Sequence, residues 1–169
     1  MKPEKNVKTL PAWFVRLFMI FYPPLVFNGI RPTRISKDFM EIDVKITKSL
    51  LNYNLNGTIF GGTILCASDP WFGIMLWQIF AHRKNPIQVW VKSASVDFLK
   101  PGNSDLTMQF RYTQEEIEMI EKTLAEKGKY IGEHQVAAIN RKGEICAIAK
   151  ILTYAKRLKT EESDQGGIM

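Results

Sequence analysis

The stretch NGTIFGGTILCASDPWFG, residues 56–73, decides how the chain is read. A glycine pair, Gly61-Gly62, opens the most apolar run in the sequence, and a carboxylate, Asp69, stands inside that run before a proline, Pro70. From 63 to 81 the run is apolar nearly all round, the pattern of a helix buried on every side. A buried ionised carboxylate is costly unless it is paired or hydrogen-bonded. Asp69 therefore has either a chemical use or the structural one of bonding backbone that Pro70 loosens.

The flanks place this helix in a sheet. Upstream, FMEIDVKIT at 39–47 alternates, with Met40, Ile42, Val44 and Ile46 on one face, as a half-buried strand does. Downstream, PIQVWVKSASVDFL at 86–99 reads as a strand, KPGNSD as turn chemistry and LTMQFRY at 106–112 as a further strand, so these two are expected to pair as a hairpin. TQEE carries a capping box, Thr113 and Glu116, and Ile117, Ile120 and Leu124 form a narrow stripe stopped by Gly128, predicting a surface helix over 114–127. Two apolar-rich strands, 130–139 and 144–155, close around the turn NRKG. An α+β architecture follows, an antiparallel sheet of five to six strands wrapped around one long central helix.

With 169 residues, 46% apolar and 24% charged, the chain suits a single domain over 1–169, with 1–30 as a helical extension and 158–169 as a frayed tail. The net charge of +6 is spread along the chain without interleaved aromatics, so no nucleic-acid partner is expected. Cys66 and Cys146 lack metal-ligand spacing and His82 and His134 lie far apart, so neither metal nor bound cofactor is expected, and a reducing cytoplasm suits the two thiols. The segment LPAWFVRLFMIFYPPLVFNGI at 10–30 is interrupted by Arg16, Pro23 and Pro24 and is no membrane span. It reads as a short helix on the domain's own edge, in preference to membrane-surface contact or a dimer seam.

The candidate site lies around Asp69. Gly61 and Gly62 sit where a helix begins, and free N–H groups with the positive dipole end there suit an anion or a developing oxyanion. Asp69 follows about two turns on, and a facing subunit could bring its own Asp to the glycine end. Asn54, with Asn52 and Asn56 beside it, can hold a water or a carbonyl. A base, oxyanion donors and a water-orienting amide are what acyl transfer to water requires.

These residues, Asn54, Gly57, Gly61, Gly62 and Asp69, carry a resemblance to the hotdog-fold acyl-CoA thioesterases of the phenylacetate-pathway type, and ASDP with the inserted helix resembles a less characterised thioesterase-like branch. The resemblance spans roughly residues 30–157. It implies a hotdog fold, Asp69 as general base or nucleophile, Gly61 and Gly62 as oxyanion donors, Asn54 as water holder, and an acyl-CoA or similar acyl thioester as substrate. A sheet wrapped around one helix leaves its other face needing cover, so a homodimer or dimer of dimers is expected. This sequence departs from the family at Phe60, where many relatives have His before the glycine pair, which removes a polarising group. Phe60, Trp71, Phe72 and Met75 are candidates to line an acyl pocket, or ordinary core aromatics and aliphatics. Asp97, on the strand face of Ser93 and Ser95, is a further candidate for substrate contact. His134 reads as structural and His82 as a complement to the helix dipole, and with no His near Asp69 a hydratase is disfavoured. The rival to hydrolysis is a non-catalytic module that binds acyl groups or serves as an oligomeric scaffold.

Overall fold

The computed structural model describes residues 8–158. The predicted tail, from 159 on, and residues 1–7 of the extension lie outside that range. In chain order the elements are α1 (Ala12–Phe21), α2 (Pro23–Phe27), β1 (Ile30–Ile35), β2 (Glu41–Ile46), α3 (Gly61–Ser68), α4 (Pro70–His82), β3 (Ile87–Phe98), β4 (Leu106–Arg111), α5 (Gln114–Lys127), β5 (Lys129–Asn140) and β6 (Ile145–Arg157). One antiparallel sheet runs β1-β2-β4-β5-β6-β3 and is wrapped around α3–α4.

The expected β3–β4 hairpin does not form. β3 pairs with β6 along its whole length, from Ile87 opposite Arg157 to Phe98 opposite Ala147, while β4 lies between β2 and β5. Burial explains the exchange. Leu106, Met108 and Phe110 of β4 are completely buried and need neighbours on both sides, whereas most of β3 faces solvent and suits an edge. KPGNSD is therefore a crossing from an edge to the sheet interior. The second edge, β1, was not foreseen: IRPTRI has no alternation, and Pro32 is tolerated because it lies at an edge, beside a bulge between Pro32 and Arg34.

The central helix is continuous in direction but interrupted at Pro70, which lacks the N–H that would close a helical bond. Asp69 itself is α-helical, φ −67° and ψ −57°. The carbonyl that loses its helical donor is that of Cys66, four residues back; on either side of it the Ser68 hydroxyl donates to Leu65 O at 2.8 Å, and the indole N–H of fully buried Trp71 donates to Ala67 O at 2.8 Å.

Two polar hubs tie the loops to this frame. Asn52 is buried; its amide donates to Asn28 O at 2.7 Å and Thr47 O at 2.9 Å, and its carbonyl accepts from Ser49 N at 2.9 Å. Thr63 at the start of α3 adds a bond to Asn28 Oδ1 at 2.9 Å, so the end of α2 is bolted to the glycine turn. Gly29 fits between because a Cβ there would lie 2.7 Å from Thr47 O, and its φ is +66°. At the second hub Asp105 meets Arg141 at 2.7 Å, Lys45 at 2.9 Å and the amide of Lys48 at 3.1 Å.

Arg141, with Lys45 and the Lys48 amide, holds the Asp105 carboxyl far below the usual carboxylate range. A depressed folded-state value contributes stability above the unfolded value and loses it as pH falls through the folded one. Wild type is thus expected to lose stability as pH drops below about 4, the unfolded value. In Asp105→Asn the advantage of wild type at neutral pH should shrink steadily over that acid range, as read by denaturant unfolding at a series of pH values.

Candidate functional site

Two cavities flank the central helix. The first, about 430 Å³, lies at the glycine turn and is lined by Asn54, Asn56, Thr58, Gly61, Phe98 and Lys100 with neighbouring residues. Here α3 begins with the amides of Thr63 and Ile64 both turned to Phe60 O, at 2.9 and 3.4 Å. Among the described residues the amides of Gly61 and Gly62 have no acceptor, which leaves two donors at the positive end of the helix. Both glycines lie under aromatic rings. A Cβ on Gly62 would lie 2.3 Å from the Phe60 ring, and one on Gly61 2.8 Å from the Phe98 ring.

Asn54 shapes the loop over this cavity. Its carbonyl accepts from Asn56 N at 3.0 Å and Thr58 N at 3.2 Å, and its amide donates to Thr58 Oγ1 at 3.0 Å. One amide N–H stays uncommitted, so any hold on a water is secondary to fixing the loop. Lys100, in the same cavity wall, is paired with Glu144 at 2.7 Å.

The second cavity, about 720 Å³, runs between α4 and β3 and contains Asp69. Pro70, Gly73, Trp77, Val89 and Trp90 are among the residues of its wall, as is Lys8. The Asp69 carboxylate is reachable by solvent, yet the surrounding apolar atoms push its pKa above the ordinary value. It caps nothing and makes no hydrogen bond or ion pair among the described residues. The structural use set out for Asp69, bonding the loosened backbone, is thereby corrected: its side chain bonds no backbone group of the helix.

The chain brings Asn54 and Gly61 together at one cavity and sets Asp69 in the other, eight residues and about 12 Å further along the helix. Phe60 is exposed and lies against Gly62, at the site. Trp71, Phe72 and Met75, entertained as acyl-pocket residues, are core: each is buried, Trp71 bonds Ala67 O, and Phe72 stacks on His134 at 4.8 Å. Asp97 is exposed and pairs with Lys150 across β3–β6 at 3.2 Å, lining neither cavity. His134 shares a 3.1 Å hydrogen bond with Tyr112, and burial keeps it neutral by lowering its pKa. His82 bonds Leu10 O at 3.2 Å and, with Gln78 accepting from Leu10 N at 2.9 Å, pins the N-terminal segment to α4.

Sequence reasoning missed Phe98, Gly73 and Trp77. Asp69, Gly73 and Trp77 stand at i, i+4 and i+8, one helix face, and that spacing was the available signal. Among the described residues no three His, Cys, Asp or Glu side chains cluster closely enough to hold a metal ion. What the site offers is an unpaired carboxylate of raised pKa in an apolar groove, and two unused amides at a helix N-terminus.

A family model described as a domain of unknown function (DUF4442) matches residues 11–154. No curated protein matches the sequence. Among solved structures, the chain is similar to a protein of unknown function from Pseudomonas aeruginosa described as a probable thioesterase, with 18% identity, TM-score 0.75, and 88% of this chain and 97% of that one covered. It is also similar to a thioesterase from Haemophilus influenzae, with 11% identity, TM-score 0.64 and coverages of 91% and 96%. A third is the PaaI protein of the phenylacetic acid degradation operon from E. coli, with 15% identity, TM-score 0.59 and coverages of 88% and 94%. The fold is the hotdog fold of these thioesterase-like proteins.

Proposed function

Because the chain belongs to the DUF4442 family, a domain of unknown function here carried on a thioesterase-like hotdog fold, we propose that it hydrolyses an acyl-CoA or similar acyl thioester in the cytoplasm, without metal or bound cofactor. The observation that carries this reading is Asp69, a carboxylate with no hydrogen-bond or ion-pair partner among the described residues and a pKa raised by the groove around it. In the proposed reaction Asp69 takes a proton from water as the water adds to the thioester carbonyl. The oxyanion accepts from the Gly61 and Gly62 amides, the C–S bond breaks, and the thiolate leaves and is protonated. Direct attack by Asp69 on the carbonyl is the alternative first step, with water then cleaving the acyl-enzyme.

One chain keeps its carboxylate and its glycine turn about 12 Å apart, so the complete site is assigned to a homodimer, or dimer of dimers, in which each Asp69 faces the other copy's glycine turn. The outer edge of β3, which pairs with no strand among the described residues, supports such a pairing. A second reading, a module that binds acyl groups without cleaving them, is favoured by the rings of Phe60 and Phe98 lying over the glycine turn.

The test is thiol release by the purified protein from acyl-CoAs with short, medium, long and aromatic acyl groups. Turnover with at least one of them is expected. Silence across the panel from a folded protein that still binds an acyl-CoA would give the second reading.

A further inference from the structure

Helix α1 is apolar on both faces, although only one of them is covered. Ala12, Val15 and Met19 pack inward, but Trp13, Phe18 and Phe21 stand in solvent, 67%, 58% and 71% exposed. Phe18 and Phe21, with Phe14, Leu17, Tyr22 and Pro23, frame a cleft of about 330 Å³, and among these lining residues the Tyr22 hydroxyl is the only polar side-chain group. A helix apolar all round is ordinarily buried all round, and a contiguous exposed apolar patch marks a docking surface.

A second exposed apolar group adjoins it. Phe27 ends α2, and Leu50, Leu51 and Leu55 project from the loop after β2. The Asn52 side chain binds that loop to Asn28, just past Phe27, at 2.7 Å. The helices that carry the patch hold one charged residue, Arg16, and neither Asp nor Glu; of the flanking cations Arg31 is exposed, while Arg34 is paired with Glu41 at 2.6 Å. Between Lys5 and Lys37 the sequence has six Lys and Arg residues and neither Asp nor Glu, and Arg16 is exposed within α1 itself.

We infer that this face docks on an anionic lipid bilayer. Trp and Phe side chains enter the boundary of the acyl chains, and the basic residues meet the headgroups. The ten residues of α1 extend about 15 Å, half the thickness of a hydrocarbon core, so the helix lies on the membrane and does not cross it. A second copy of the chain fits less well. A twofold seam sets the patch against itself, and neither α1 nor α2 carries an Asp or Glu to answer Arg16 of the other copy. The loop bearing Leu50, Leu51 and Leu55 also supplies Asn54 and Asn56 to the glycine-turn cavity, so docking sets one wall of that cavity at the lipid surface.

Flotation of the full chain with vesicles of phosphatidylcholine alone, and of phosphatidylcholine mixed with phosphatidylserine, tests this. Capture by the anionic vesicles is expected, falling steeply as salt is raised. The double variant Trp13→Ser/Phe18→Ser should lower capture by about tenfold or more. Arg16→Glu should also lower it, whereas the charge-matched Lys122→Glu, exposed on α5, should not. All four positions are exposed, and circular dichroism checks that the variants fold. Three outcomes overturn the inference: no capture by folded wild type, equal losses in Arg16→Glu and Lys122→Glu, or a double variant that turns a dimer into a monomer while neither protein is captured, which gives the face to a second copy. Flotation involves no turnover, so its result is separate from that of the thiol-release assay.

Discussion

Asp69→Asn is expected to lower thiol release from the best acyl-CoA by about a thousandfold, within the range that loss of a positioned base produces. The isosteric amide keeps the groove's shape and removes only the proton acceptor. A second measurement separates this role from a structural one. Burial raises the Asp69 pKa, so the folded state holds the charge less well than the unfolded chain does. A raised carboxyl value favours folding below the unfolded pKa and disfavours it as pH rises through the folded one. At neutral pH the charge is therefore a cost, and the Asn variant should melt at the same temperature as wild type or higher. The rate should also fall on the acid side, with a midpoint above the ordinary Asp value. A variant that keeps more than a tenth of the activity, or melts well below wild type, would sink the assignment.

The parts of the fold that could be read from the sequence are those whose signals are local. The capping box closes as written, with Glu116 N bonded to Thr113 Oγ1 at 3.2 Å and Thr113 N to Glu116 Oε2 at 2.7 Å, and Gly128 takes φ +67°. β2 shows its alternation, and β5 and β6 meet across NRKG. Pairing of β3 was not local: a good turn after a strand says nothing of which strand will cover its flank, and burial settled that. The site divides along the same line. Gly61 and Asp69 were visible as anomalies in an apolar run, but a run apolar on every face hides which residues meet a groove. Trp71 and Phe72 therefore looked as available as Trp77, and only packing separates them. Asn52 was less visible still, one of three asparagines in a polar loop, with no local sign that it alone is buried.

Asn52→Ala is accordingly expected to be the most destabilising single change in that loop. It removes two donors from Asn28 O and Thr47 O and an acceptor from Ser49 N, at a side chain that is itself buried among half-buried partners. Buried groups left unmatched cost more than the net worth of the bonds they lose. A loss of about 3 kcal/mol follows from that rule, and a fall in melting temperature of roughly 6 to 12 °C for a chain of this size. Asn56→Ala is the control: its side chain is exposed and only its backbone bonds Asn54, so it should stay within about 0.5 kcal/mol of wild type. The same asparagine makes the damage directional. With Thr63 it holds the end of α2 to the start of α3, so hydrogen exchange in Asn52→Ala should rise first at the Thr47 amide, which bonds Gly29 O, and at the Phe60 amide, which bonds Asn52 O. Loss of protection spread evenly over β5 and β6 instead would mean that the hub holds the whole sheet, and that the N-terminal helices are not coupled to the glycine turn through it.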